Sequence, residues 1–244
     1  AGACLYTDWA NVDLINVTAT NCLASGTSSA NGGAMAFLDS AANVSQTRIV
    51  GGSSLSDDLA VGGGISLLKS FGRAFGSPAE LREVSFESCT ADSRSGKGQG
   101  GGLSLNNRNE TILTHVSFVG CNASESGGGL SVMASYFELR QSTVFNANNA
   151  PRGAAVIYKT AIAAYTIAGK LPKMDRATSF ESNTGQASVI AQASVKWTCQ
   201  PGQWMPSTGE FTGDFVGCAF ACAAGSYGDA DNYTTASCRD GCPT

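Results

Sequence analysis

Apolar and polar residues alternate along this chain with a period of two, in short runs interrupted by glycine clusters, and that pattern predicts strands rather than helices. Ile112, Thr114, Val116 and Phe118 occupy every second position of one run, and Leu103, Ser104 and Leu105 form a shorter one. The runs recur. GGAMAF at 32–37, GGGISL at 62–67, GGGLSL at 100–105 and GGGLSV at 127–132 are copies of one motif, with degenerate copies GAAVIY at 153–158 and GQASVI at 185–190. A second motif lies between them: an apolar or Thr residue, a gap of one, an aromatic or aliphatic residue, then Cys, Asn or Gly three positions on. It appears as Val17/Ala19/Cys22, Thr47/Ile49/Gly52, Val84/Phe86/Cys89, Val116/Phe118/Cys121, Thr143/Phe145/Asn148 and Thr178/Phe180/Asn183.

A repeat of roughly 32 residues lies in the range of solenoids, in which each unit buries its inner face only against its neighbours. Leucine-rich and helical repeats of that length carry leucine or helical patterns that are missing here. The prediction is all-β: a parallel β-helix of about six coils over residues 1–196, followed by a small disulfide-rich module over 197–244. Equivalent residues of successive coils then stack about 4.8 Å apart, and Phe86, Phe118 and Phe145 share one interior column. Glycine suits corners where the backbone needs positive φ or where coils leave no room for a Cβ. Asn148, between Cys121 and Asn183, is placed for a side-chain amide ladder. The letters GKGQGG at 96–101 also satisfy G-x-G-x-x-G, but a dinucleotide site needs a helix after its glycines. The strand-like Leu103–Leu105 follows instead.

The chain has 244 residues with 30 Gly, and only 14% are charged, against about 25% in an ordinary globular protein. That composition fits tight turns and stacked strands. A formal charge of -4 leaves no basic stripe to displace counterions, which argues against nucleic acid and anionic membranes as partners. No run of about 18 apolar residues predicts a helix across a bilayer. Nine cysteines and the sequons at Asn16, Asn43, Asn109, Asn122 and Asn232 suit an extracellular protein carrying covalent N-glycans. The chain does not begin with Met, so a removed signal or a piece of a longer protein is expected.

GGA[ILV] alternating with FxxN resembles the polymorphic membrane protein repeat, described from chlamydial surface proteins, over roughly residues 12–195. The resemblance implies a right-handed parallel β-helix used as an extracellular stalk or adhesive surface, without catalysis. Cys replaces the repeat's Asn in three corners, and no autotransporter barrel is present in the sequence.

The last five cysteines form their own repeat: Cys199-x2-Gly202-x-Trp204, Cys218-x3-Cys222-x2-Gly225-x-Tyr227 and Cys238-x3-Cys242. This segment is similar to growth-factor-receptor cysteine-rich modules of surface proteins. Pairing Cys199 with Cys218 and Cys222 with Cys238 leaves Cys242 with a partner outside the chain, or free. Zinc usually takes C-x2-C pairs, which are missing, so no metal or other cofactor is expected. In the β-helix, Cys89 and Cys121 hold one corner of adjacent coils, within expected disulfide range and otherwise two buried thiols. Cys4 is the expected partner of Cys22.

Parallel β-helices also carry polysaccharide lyases and hydrolases, whose chemistry needs clustered acids. The candidates are Asp57-Asp58, Glu83, Glu87, Glu110, Glu125, Glu138 and Glu181, and no two adjacent coils repeat an acid at one site. Asp57-Asp58 resembles the paired Asp of polygalacturonases, whose GHG and RIK companions are absent. The single His115 is expected to be an exterior side chain, and no nucleophile has a partner. No catalytic residue is assigned.

Residues 159–176 interrupt the repeat with an apolar insertion bearing Ile162, Tyr165, Ile167 and Leu171, and 69–78 bring in Phe71 and Phe75. These six are candidate interface residues, because a solenoid has already buried its inner apolar face. The reading is a non-enzymatic, glycosylated structural protein of a cell-surface or filamentous assembly, partnered by its own copies or other surface proteins. An adhesin or glycan-binding stalk is the alternative, and a degenerate polysaccharide lyase a third.

Overall fold

Single residues with positive φ turn the corners of this chain, and short parallel strands run between them. The computed structural model describes residues 4–70, 78–107, 110–159, 172–175, 177–192, 195–199, 203–206, 208–216 and 220–221. Asn16, Gln46, Glu83, His115 and Gln141 hold one corner in five successive coils, at φ between 49° and 56°. Asn21, Gly51, Ser88, Gly120, Ala147 and Ser182 hold the next. Each non-glycine corner costs on the order of 1 kcal/mol, set against the hydrogen bonds and packing that stacking brings. The bend also resets the alternation of side chains. Around His115, Leu113 and Val116 are both buried while Ile112 is half-buried, so the unbroken alternation expected from Ile112 to Phe118 is two runs in opposite phase.

The parallel strands stack into four sheets, making the protein an all-β solenoid. The first sheet stacks Leu5–Asp8, Met35–Leu38, Ile65–Leu68, Leu103–Asn106, Leu130–Met133, Val156–Lys159 and Val189–Ala191. These are seven windings, one more than the six glycine copies, because Cys4 stands where the later copies have Ala34 or Gly64. The second sheet includes Ala41–Val50 and Ala79–Glu87 in its long strands. The third joins Leu23–Gly26, Ser53–Ser56, Thr90–Ser93 and Asn122–Ala123, and the fourth Ser29–Asn31, Leu59–Val61 and Lys97–Gln99.

The expected aromatic column is present and longer than foreseen. Phe86, Phe118, Phe145 and Phe180 stack with centroid spacings of 4.8, 4.8 and 5.2 Å and nearly parallel planes, and Phe215 adds a fifth ring at 4.5 Å. Ala19 and Ile49 hold the same register position in the first two windings.

Each glycine of the triplet has its own steric reason. Gly100 turns at φ 69°, and a Cβ there would lie 3.0 Å from the Ser104 Cβ. A Cβ on Gly101 would meet the Asn122 carbonyl oxygen at 2.3 Å, and one on Gly102 the Phe118 ring at 2.6 Å. The middle glycine therefore pinches the coil. It separates a large lobe, with the Phe column between the first two sheets, from a small lobe filled by Ala60, Ala91, Ala123 and Ala150. The small lobe tapers: its segment runs 22–32, 52–62 and 89–100 in the first three windings, then 121–127, 148–153 and 183–186. Ser124 closes it, its hydroxyl accepting from the backbone N–H of Ser93 and Gly98 at 3.1 and 3.0 Å.

After 196 the backbone remains joined to the sheets. Lys196–Thr198 continues the second sheet in parallel, whereas Gly209–Phe211 and Phe215–Val216 pair antiparallel with Val189–Ala191 and Ser179–Glu181. Phe211 and Phe215 join the core cluster there. The last glycine copy is also shifted. Val189 pairs with Val156, so the repeat unit is 186–191 rather than 185–190.

The expected Cys4–Cys22 disulfide is formed, with its Cα atoms 5.8 Å apart. The expected Cys89–Cys121 bond is not: both are free and buried. In-register parallel stacking points the two side chains alike rather than at each other. Each thiol instead approaches the backbone of the winding below, Cys89 Sγ reaching the Ile49 carbonyl at 3.8 Å and Cys121 Sγ that of Phe86 at 3.6 Å. The amides above follow the same rule with better geometry. Asn148 Nδ2 donates to the Phe118 carbonyl and Asn183 Nδ2 to that of Phe145, both at 3.0 Å. Asn148 Oδ1 accepts from the Cys121 N–H and Asn183 Oδ1 from the Asn148 N–H. Burial pushes the Cys121 thiol pKa well up, so it stays protonated.

Candidate functional site

The small lobe carries an open cleft on its outer face. Register places Ser25, Leu55 and Asp92 above one another on the outer face of the third sheet. With Gly26, Thr27, Ser56, Asp57 and Arg94 they line a cleft of about 450 Å³. Its rim is fixed by backbone: the Arg94 N–H donates to the Ser56 carbonyl, and Ser95 N–H to that of Asp57, each at 3.0 Å. Arg94 Nη1 reaches Asp57 Oδ1 at 2.9 Å. Asp58 turns to the other side, where Lys97 Nζ approaches its Oδ1 at 2.5 Å. The hydrogen bond and charge of Lys97 hold the Asp58 carboxyl below its usual range. The neighbouring aspartates thus belong to two separate ion pairs and do not form a carboxylate couple. Asp92 has no partner of its own among the described residues.

A second polar cluster lies on the outer face of the second sheet. Glu138 is only 5% exposed, yet its strand position faces away from the core residues Phe137 and Leu139. Tyr136 Oη and Arg140 bond its carboxylate, and Lys173 Nζ approaches it at 3.2 Å. Burial opposes the charged carboxylate, but the bonds from Tyr136, Arg140 and Lys173 outweigh it, and the pKa lies below the ordinary value. Burial and the Glu138 charge push the Tyr136 hydroxyl well above its usual range. The arrangement holds an anion between adjacent windings, because Glu138 pairs in register with Lys173.

The remaining acids are dispersed. Glu87 pairs with Arg48 at 2.5 Å, Glu83 accepts from Gln46, and Glu125 faces Lys159 at 3.4 Å. His115 is exposed at its corner. No group of three or more His, Cys, Asp or Glu is gathered as a metal site among the described residues.

Asn16, Asn43 and Asn122 are exposed. Asn43 Nδ2 donates to Asp13 Oδ1 at 2.8 Å, and Asn122 Oδ1 accepts from Asn149. Ser124 of the Asn122 sequon also caps the small lobe through its hydroxyl. Asn109 and Asn232 lie outside the described residues, as do Cys218, Cys222, Cys238, Cys242 and the six interface candidates Phe71, Phe75, Ile162, Tyr165, Ile167 and Leu171. Cys199 is buried and disulfide-bonded.

Of the cleft and the Glu138 cluster, the sequence offers only Asp57 and Glu138 as candidate acids; Asp92, Arg94, Tyr136 and Lys173 carry no such signal. Counting three positions from Cys22, Gly52 and Cys89 aligns Ser25, Leu55 and Asp92, so the cleft's floor was accessible to that arithmetic. Comparison with protein-family models, curated proteins and solved structures finds no match for this chain.

Proposed function

We propose that this chain is a structural module of an extracellular protein, a glycosylated protomer of a cell-surface or filamentous assembly. The proposal takes the solenoid in its right-handed form, as the resemblance to polymorphic membrane protein repeats implies, and the segment from 197 as the start of a growth-factor-receptor-like module. The observation that carries it is the aromatic column from Phe86 to Phe215. It invests the interior in in-register stacking along one axis, and the faces outside are free to vary. The acids held in ion pairs serve the same end, since Glu138, Glu87, Asp57 and Asp58 each tie one segment of the solenoid to another. Antiparallel strands over the first two sheets at one end favour assembly through lateral faces or the opposite end over head-to-tail stacking of copies.

Electron microscopy of the native material, with intact mass before and after enzymatic deglycosylation, tests this reading. Elongated particles or an ordered assembly outside the cell, with glycan mass on Asn16, are expected. Intracellular, unmodified protein without higher assembly would overturn it.

A further inference from the structure

We infer that the cleft on the small lobe binds a neutral saccharide of about disaccharide size. Leu55 stands at its centre, 39% exposed, with Ser25 and Asp92 directly on either side along the axis. A single exposed leucine needs no explanation on its own. Here it is framed by the carboxylates of Asp57 and Asp92, the Arg94 guanidinium and the Thr27 hydroxyl. A pyranose presents the complementary alternation, a C–H face bordered by hydroxyls. Its apolar face lies on Leu55, while adjacent hydroxyls donate to Asp92, whose acceptors the fold leaves unused, and accept from Arg94. Apolar ground with a few fixed polar groups is the usual composition of a small-ligand site, and hydrogen bonds to charged groups are the stronger kind.

Charge selects the class. Arg94 offsets Asp57, Lys97 offsets Asp58, and Asp92 remains uncompensated, so a uronic acid or sulfated sugar is repelled where a neutral one is not. The three stacked windings give the floor a length of about 10 Å. Backbone hydrogen bonds fix the rim before any ligand arrives, so binding orders few side chains beyond Arg94. The site stands apart from the structural role proposed above, and either can fail without the other.

The test is an amide NMR titration of the intact 244-residue chain with cellobiose, lactose, maltose and mannobiose, and with digalacturonate as the acidic probe. At least one neutral probe should shift amides within 25–27, 55–57 and 92–94, and digalacturonate should bind more weakly. Asp92→Ala and Leu55→Ser should each weaken that binding about tenfold, the worth of one charge-assisted hydrogen bond or one buried apolar contact. Both residues face outward, so unchanged amide positions in the large lobe verify that the variants are folded. No shift with any neutral probe, shifts confined to other faces, preference for digalacturonate, or shifts that survive both substitutions would each overturn the assignment.

Discussion

Gly102 sits against the ring of Phe118, so closely that a methyl group at residue 102 would lie 2.6 Å from the ring's Cδ1. Gly64 and Phe86, and Gly129 and Phe145, repeat the relationship at 2.6 and 2.8 Å. The second winding has Ala34 and Ile49 in these places and the first has Cys4 and Ala19, whereas the sixth holds Ala155 and Phe180 together, its ring spaced 5.2 Å from the one before instead of 4.8 Å. Gly102→Ala should destabilise the protein by about 1–3 kcal/mol through overpacking. Adding Phe118→Ile should recover part of that loss, so that the two changes together cost less than their sum. Denaturant unfolding of the single and double variants measures the coupling.

The stacked thiols of Cys89 and Cys121 give a second expectation. Alkylation of the native protein should leave both unmodified, and alkylation after unfolding without reductant should label both. Intact mass reads the difference. Labelling in neither state would mean that they are bonded after all. Cys121→Asn should be accommodated, because its Nδ2 can donate to the Phe86 carbonyl as Asn148 does to that of Phe118.

At the other end of the column, the Cys4–Cys22 bond ties the first winding to its own corner. Replacing both cysteines by Ser should cost about 3 kcal/mol. The loss should be local. Hydrogen exchange should quicken in Leu5–Asp8 and Asn11–Ile15 before it does in Leu103–Asn106.

Acid should weaken the protein through Glu138. In the unfolded chain a glutamate titrates near about 4.3, and in the folded protein its pKa is lower. The stability it contributes is therefore complete above the unfolded value and is lost as pH falls through the folded one. Glu138→Gln should lower stability by about 1–3 kcal/mol at neutral pH, with the difference shrinking toward acid. Thermal unfolding of both proteins across that range checks the sign.

Much of the solenoid was legible because its corners are chemically distinctive. Phe, Cys and Asn recur at fixed offsets, and the column from Ala19 to Phe180 follows from them. The first-sheet strand of the first winding, Leu5–Asp8, escaped because Cys4 disguises its place in the glycine series. The antiparallel strands bearing Phe211 and Phe215 escaped because they follow no repeat. The left-handed residue at His115 carries no compositional signal, since Asn, Gln, Glu and His all serve at that corner, and so the reversal of side-chain phase was hidden. Glu138 looked like any outward acid. Only its register neighbour Lys173 in the next winding, together with Tyr136 and Arg140 beside it, reveals that it is enclosed.

In-register stacking also dictates how the length of this protein can change. Excising residues 33–62 would join Gly32 to Gly63, and the chain would resume at an equivalent point one storey higher. Losing one residue inside a strand would instead turn every side chain up to the next bend the wrong way. Whole turns are therefore the natural currency of gain and loss in this lineage, and relatives should differ from it by multiples of a turn or by loops at the bends.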